Sequence, residues 1–422
     1  MQIDIVELLK SLLELSTFDY LRQVFGNKPW VEPVIDIIGI LLVASMGLLS
    51  IFFWGLLERK VIARMQDRIG PNRVGGRYGQ LQMVADVIKM ITKEVIIPDG
   101  ADKIAFMLSP IVGVGTALLL LAVLPFAPGV IGTDLNVGLL YIMGISSISV
   151  VTFILAGWGS NNKYALLGAF RSVAQLVSYE VPLVIAFLIP AMLASTLSTV
   201  SIVEAQKIPF IVFVPLAALI FLISALAETG RTPFDLLEAE SEIVAGYHTE
   251  YTGMSLGLFL AGEYIGTLFM SALFSTLFLG GYRFLGLETL VIGDGIVIGR
   301  LLGLVIIFVK TFLVFFLFMW VRGTLPRFRI DQMLNFNWKI MVPISLVLIL
   351  VVAIVEKALP ADTAPLIRVL AHLISNLILG AVVLEILRRQ GEKQRLAFEA
   401  SVAERTAENQ QKAAEVMGVA AH

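Results

Sequence analysis

Nine stretches of mostly apolar residues recur along this chain, at 34–57, 104–127, 137–157, 176–198, 208–227, 254–280, 300–321, 340–357 and 364–387. No other feature narrows the fold as much. Each is close to the roughly 20 residues that a helix needs to cross the hydrocarbon core of a bilayer. In that medium every backbone N–H and C=O must be satisfied internally, which leaves only helices and closed barrels. A barrel would require alternating segments of about ten residues, whereas these runs are solidly apolar. The fold class that follows is all-α, a polytopic transmembrane helical protein with about nine spans. The composition agrees: 58% of the residues are hydrophobic and 15% charged, where soluble domains carry about 25% charged residues.

Basic residues set the expected orientation, because Lys and Arg concentrate in cytoplasmic loops. Arg59, Lys60, Arg64, Arg68, Arg73, Arg77, Lys89, Lys93 and Lys103 follow the first span, and Arg322, Arg327, Arg329 and Lys339 follow the seventh. The turn at 128–136 has no basic residue, and 199–207 has only Lys207. The N-terminus is therefore expected outside and the C-terminus in the cytoplasm. Three parts are expected: an amphipathic N-terminal segment at 1–30, a membrane domain at 31–388 with loops at 58–103, 228–253 and 322–339, and a charged cytoplasmic tail at 389–422. Within the first loop, Leu81, Val84, Ala85, Ile88, Ile91 and Val95 repeat at helical spacing, predicting an amphipathic helix in the interface or against a partner.

The chain has no cysteine, so iron–sulfur ligation and thiolate chemistry are excluded. Its histidines, His248, His372 and His422, are far apart in sequence, and no ligand pair for zinc or haem stands out. The reading is a chain with no metal site and no redox cofactor of its own. Net charge is −2, which says nothing of partners.

The chemistry concentrates in ETGRTPFDLLEAESEIVAGYHTEY, residues 228–251, which holds six carboxylates and one arginine between two apolar spans. Thr232 as N-cap, Pro233 at the first helical position and Asp235 behind them predict a short helix over 233–245. Glu238 and Glu242 would share one face of it, with Glu240 elsewhere. The acids alternate with Leu236, Leu237, Ile243 and Val244, so part of the segment is expected to be buried. Ionisable residues also enter the spans: Glu180 near the start of the fourth, Glu263 in the sixth and Lys310 in the seventh. A charge at the bilayer centre costs at least about 2.5 kcal/mol, so such groups face polar cavities and pair. Glu263 is the first candidate partner for Lys310. Neighbouring carboxylates raise one another's pKa while Arg231 and Lys310 lower it, and a series with spread values can pass protons. What drives the protons is not legible in these residues.

Four blocks carry a resemblance: LLERKVIARMQDRIGPNRVG, GWGSNNKYALLGAFRSVAQLVSYEVPL, AETGRTPFDLLEAESEIVAGYHTEYTGM with the following GEY, and FVKTFLVFFLFMWVRGTLPRFRIDQ. In this order they resemble the H subunits of proton-pumping NADH:quinone oxidoreductase, respiratory complex I. The resemblance implies a non-redox membrane subunit that helps wall a quinone chamber, with FMN and iron–sulfur clusters in partner subunits. It implies quinone as substrate. The implied partners are peripheral-arm quinone-site subunits, neighbouring membrane-arm subunits and lipid, with no nucleic acid. Glu180, Glu228, Glu238, Glu240, Glu242, Glu250 and Glu263 would form a proton path with Lys310 and Arg231. Arg59, Arg64, Asp86, Arg231 and Phe234 would lie at the quinone chamber. The anchoring subunits of membrane-bound hydrogenases and deazaflavin-dependent dehydrogenases are the rival reading, with a stand-alone ion transporter behind them.

Overall fold

The computed structural model describes residues 30–235, 244–284, 286, 299–360 and 364–419. The described residues are helical apart from turns and one isolated bridge between Ala127 and Val130. The long helices are α1 (Val31–Met65), α3 (Lys103–Leu121), α4 (Gly138–Gly159), α5 (Lys163–Ala194), α9 (Gly253–Phe278), α10 (Gly299–Thr324), α11 (Ile330–Ala358) and α12 (Pro365–Val419). Shorter helices are α2 (Gln82–Thr92), α6 (Thr199–Ala205), α7 (Phe210–Phe213) and α8 (Pro215–Glu228). Eight helices are long and apolar enough to cross a membrane, and α8 is a shorter apolar one. The protein is a multi-pass membrane protein.

The fifth predicted span, 208–227, is divided. Pro215 has no N–H to donate and its ring excludes a continuous helix, so α7 ends at Phe213 and α8 restarts at Pro215. The fourth span starts earlier than its hydrophobicity suggested. Asn162 caps α5 by accepting from the Tyr164 N–H at 2.9 Å, and the helix then takes in Lys163 and Arg171 before its apolar part. The eighth span extends to Ile330 and contains a π turn over Asn337–Met341. There Asn337, fully buried, donates to the Ser178 carbonyl of α5 at 2.5 Å. The amphipathic helix of the first loop is present as α2. Met83 and Met90 pack on Gly55 of α1 and Gly257 of α9, and Leu81, Val84, Ile88 and Ile91 stay exposed on another side. Helix α12 carries the tail out to Val419. The expected N-terminal amphipathic segment, up to residue 29, lies outside the described residues.

Two helices form the centre. In α5 and α9, 56% and 50% of the apolar window is buried, against 11% in α1 and 17% in α12. Tyr179 and Phe187 of α5, Phe221 and Ala225 of α8, Phe269 and Phe278 of α9, and Leu348 of α11 belong to one apolar core. Lipid supplies no hydrophobic drive between helices, so small residues that admit close approach matter. A Cβ at Gly157 of α4 would come within 2.4 Å of Ala169 of α5. α1 and α12 expose long apolar faces, as rim helices do.

Candidate functional site

The site is assembled by the turn that ends α8. The Arg231 N–H donates to the Leu226 carbonyl at 3.1 Å, and the Gly230 N–H to the Ala227 carbonyl at 3.2 Å. These are the two bonds of a Schellman stop, and Gly230 holds the left-handed position at φ +61°. Gln175 of α5, fully buried, donates its Nε2 to the carbonyls of Ala227 (2.7 Å) and Phe234 (2.8 Å). The stop and the glutamine together fix where Arg231 points.

Arg231 points at Glu58, on the last turns of α1. Its Nη1 donates to Glu58 Oε1 at 2.5 Å, and Arg322 of α10 donates to the same oxygen. The Glu58 side chain is 3% exposed and that of Arg231 9%. The Arg231 guanidinium lies over the Tyr264 ring of α9, 4.9 Å from its centroid. Two cations thus share one carboxylate in a buried place, and among the described residues these three side chains carry a net charge of about +1 by formal count. Glu58 Oε2 receives no hydrogen bond. A small void beside it is lined by Thr267, Phe315, Phe318 and Met319 together with the three charged residues.

The neighbouring contacts tie both basic loops to this junction. Arg59 donates to Asp86 Oδ2 at 2.5 Å and Gln82 to Oδ1 at 3.2 Å, which fastens α2 to α1. Arg327 donates to Asp235 at 2.8 Å, and the Phe328 N–H to the Pro233 carbonyl at 3.0 Å. Phe234 is buried between Tyr179 and Phe328, at centroid distances of 5.2 and 5.7 Å. Arg64 is exposed on the last turn of α1.

The predicted helix over 233–245 does not begin at Pro233. The Thr232–Pro233 bond is cis and residues 232–235 form turns. The carbonyls of Pro233 and Phe234 are taken by Phe328 and Gln175, so they are not free to start a helix. Glu238, Glu240 and Glu242 lie outside the described residues.

The other acids are dispersed over α5, α8, α9 and the loop before α9. Glu228 closes α8, near enough to Glu180 of α5 for their charges to repel. The Ser147 hydroxyl of α4 donates to Glu180 at 2.6 Å. The Tyr247 hydroxyl donates to Glu263 of α9 at 3.1 Å. Thr267, one turn along α9, returns its hydroxyl to the Glu263 carbonyl at 2.8 Å and also lines the void at Glu58. Asn162 donates to Glu250 at 2.6 Å. Tyr247 sits on the short turn Gly246–His248, pressed so closely on α5 that a Cβ at Gly168 would lie 2.6 Å from the Gly246 backbone.

Lys310 is not paired with Glu263. Its ammonium donates to the carbonyls of Leu279, Gly281 and Arg283 at 2.6, 2.9 and 2.7 Å, beyond the C-terminal end of α9. Glu263 is sixteen positions before Leu279, about 24 Å along a helix axis. A lysine side chain cannot span that. Positive charge at a helix C-terminus meets the carbonyls that the helix leaves unpaired.

Sequence reasoning missed four residues of the junction: Glu58, Arg322, Tyr264 and Gln175. Glu58 was legible as the one acid in LLERKVIAR, placed at the end of a span and next to Arg59. Tyr264 stood in the GEY triplet beside Glu263. Among the described residues no cluster of three metal-ligating side chains occurs.

Helices and junction together define a class, a multi-pass membrane protein with ionic side chains buried where its helices meet their connecting loops. The chain belongs to the NADH dehydrogenase family, whose sequence model matches residues 37–353. It is 50% identical over 304 residues to the H subunit of NADH-quinone oxidoreductase from Dehalococcoides mccartyi strain CBDB1, covering 72% of this chain and 81% of that one. It is 46% identical over 321 residues to the H subunit from Geobacillus kaustophilus (76% and 93% covered). To an H subunit from Syntrophobacter fumaroxidans it is 47% identical over 306 residues, with 70% and 88% covered.

Proposed function

We propose that this chain is the membrane subunit of an NADH-quinone oxidoreductase that walls the quinone chamber and couples quinone reduction to proton translocation. The observation that carries the reading is the Glu58–Arg231–Arg322 junction, where α1, the turn after α8 and the end of α10 converge. Reduction of a quinone to a quinol takes two electrons and two protons, and negative charge develops on its carbonyl oxygens. A buried site with one uncompensated positive charge favours that development. Electrons reach it from FMN and iron–sulfur clusters in partner subunits, as fits a chain without cysteine.

The acids provide the second half of the coupling. The charges of Glu180 and Glu228 are close enough to repel. A change of charge at the junction shifts their balance, and Glu263 continues the series through Tyr247. Glu250 and the loop acids Glu238, Glu240 and Glu242 extend it, while Arg231 sets its electrostatic origin. Arg59, Asp86, Arg64 and Phe234 form the entry side, and Lys310 belongs to the far end of the path. Peripheral-arm subunits dock on the basic loops.

The test uses the assembled complex in liposomes, with Glu228→Gln and Glu263→Gln. NADH-to-quinone turnover and proton uptake should fall together, while electron transfer to a water-soluble acceptor persists. Quinone turnover and pumping both at the unmodified level would remove the acids from the mechanism.

A further inference from the structure

A second, partly buried ionic cluster lies at the end of α11 away from the junction, beyond residue 353 where the family match stops. His372 of α12 is fully buried. Its Nε2 is 2.9 Å from Glu356 Oε2, on the last turn of α11. Arg368, one turn before His372, is 3.5 Å from the other Glu356 oxygen. His372 Nδ1 has no hydrogen-bond partner, and neither does the Oδ1 of the buried Asn376. The aromatic neighbour is Phe213, the last residue of α7, with ring centroids 6.4 Å apart. α12 packs on α7 and on α8, so this helix covers the break in the fifth crossing.

Such a histidine has two stable states of different strength. Protonated, it forms an ion pair with Glu356 across the α11–α12 hairpin. Neutral, it keeps only a hydrogen bond, and Glu356 is left to Arg368. Histidine is the side chain whose ordinary pKa places this change between pH 5 and 8. Side-chain exposures of 27% for Glu356 and 33% for Arg368 give protons a way in from the hairpin end. The groups that face the imidazole are Glu356 from α11 and Arg368 from α12. α7 contributes no titratable side chain, and the single carboxylate of α8, Glu228, is at its other end. Lys357 is exposed.

We propose that His372, Glu356 and Arg368 form a proton-binding latch. Protonation of His372, from the membrane face opposite the basic loops, tightens α12 on α11 and over the α7–α8 break. The same contacts could instead be a fixed anchor, indifferent to pH, and the two differ in one measurement. Hydrogen–deuterium exchange of peptides within 342–380 is followed in the purified complex at pH 5.5 and 7.5, corrected for intrinsic exchange. The latch requires slower exchange at the lower pH, by several-fold or more. His372→Gln should abolish that difference while exchange in α5 and α9 is unchanged. If His372→Gln does not assemble, Glu356→Gln reads the same difference. Equal protection at both pH values in the unmodified complex, or a pH difference that survives in the variant, would overturn the proposal.

Discussion

Replacing Glu58 with glutamine removes the carboxylate that, among the described residues, two guanidinium groups share. Arg231, 9% exposed, then keeps a charge that it cannot take to water, whereas Arg322 at 32% can turn outward. Removing one partner of a buried ion pair costs about 3–5 kcal/mol. Glutamine retains one oxygen to accept an N–H, and Arg322 relaxes, so the lower end applies. About 3 kcal/mol, at about 1.4 kcal/mol per decade, is roughly a hundredfold in the population of the intact junction. The assay is NADH-to-quinone turnover of the purified complex, set beside reduction of a water-soluble acceptor that bypasses this chain. Quinone turnover should fall by about that factor, and the bypass reaction should not change. A second arm pairs Glu58→Gln with Arg231→Met and reads the temperature of half-inactivation in the bypass reaction. Because the double variant leaves no buried charge unpaired, it should be more heat-resistant than Glu58→Gln alone. Quinone turnover within twofold of the unmodified complex, or additive losses in the double variant, would refute the argument.

Gly230→Ala forces an alanine into the left-handed region at φ +61°, at about 1 kcal/mol. It should raise the quinone KM while Gly230→Asn recovers most of the loss, as steady-state kinetics would show. Gln175→Ala deletes both bonds that hold the turn, about 1–3 kcal/mol together. Limited trypsin digestion should then cut at Arg231 faster than in the unmodified complex. Lys310→Met leaves three carbonyls beyond α9 without their ammonium donor. It should lower the temperature of half-inactivation by several degrees, and Lys310→Arg should lower it less.

Eight of the nine expected crossings were legible because apolar length is a strong signal, and α2 because its aliphatic residues repeat at helical spacing. The break at Pro215 was present in IVFVPLAAL, yet a window average conceals one proline among eight apolar residues. The start of α5 depended on Asn162, a polar cap in front of a segment too charged to resemble a span. The turn at 232–235 had the signature of a helix start, and lost it to tertiary hydrogen bonds from Gln175 and Phe328 that no local pattern records. At the site, the loop acids were conspicuous as charge, whereas Glu58 was screened by the basic residues around it. Lys310 was assigned a partner by depth in its own span. Depth along α9, which separates Glu263 from Leu279, was the quantity that mattered.

The π turn in α11 acts as a register setting for the whole helix. Met333, Asn337, Met341, Ser345, Leu348 and Val352 are all buried, at steps of mostly four residues where an α-helix returns every 3.6. Without correction, such a stripe drifts around the helix, and by Val352 it would have turned by about 100° from Met333. A turn closed by i→i+5 bonds takes up roughly one additional residue, which cancels that drift. Both the basic end of α11, against Tyr179, and its apolar end therefore stay on α5. Deleting one residue of 338–340 would remove that additional residue together with the π turn and leave an ordinary helix with Met333, Leu348 and Val352 still on one face, whereas inserting one there would rotate the two ends about 100° apart and turn Leu348 and Val352 toward lipid.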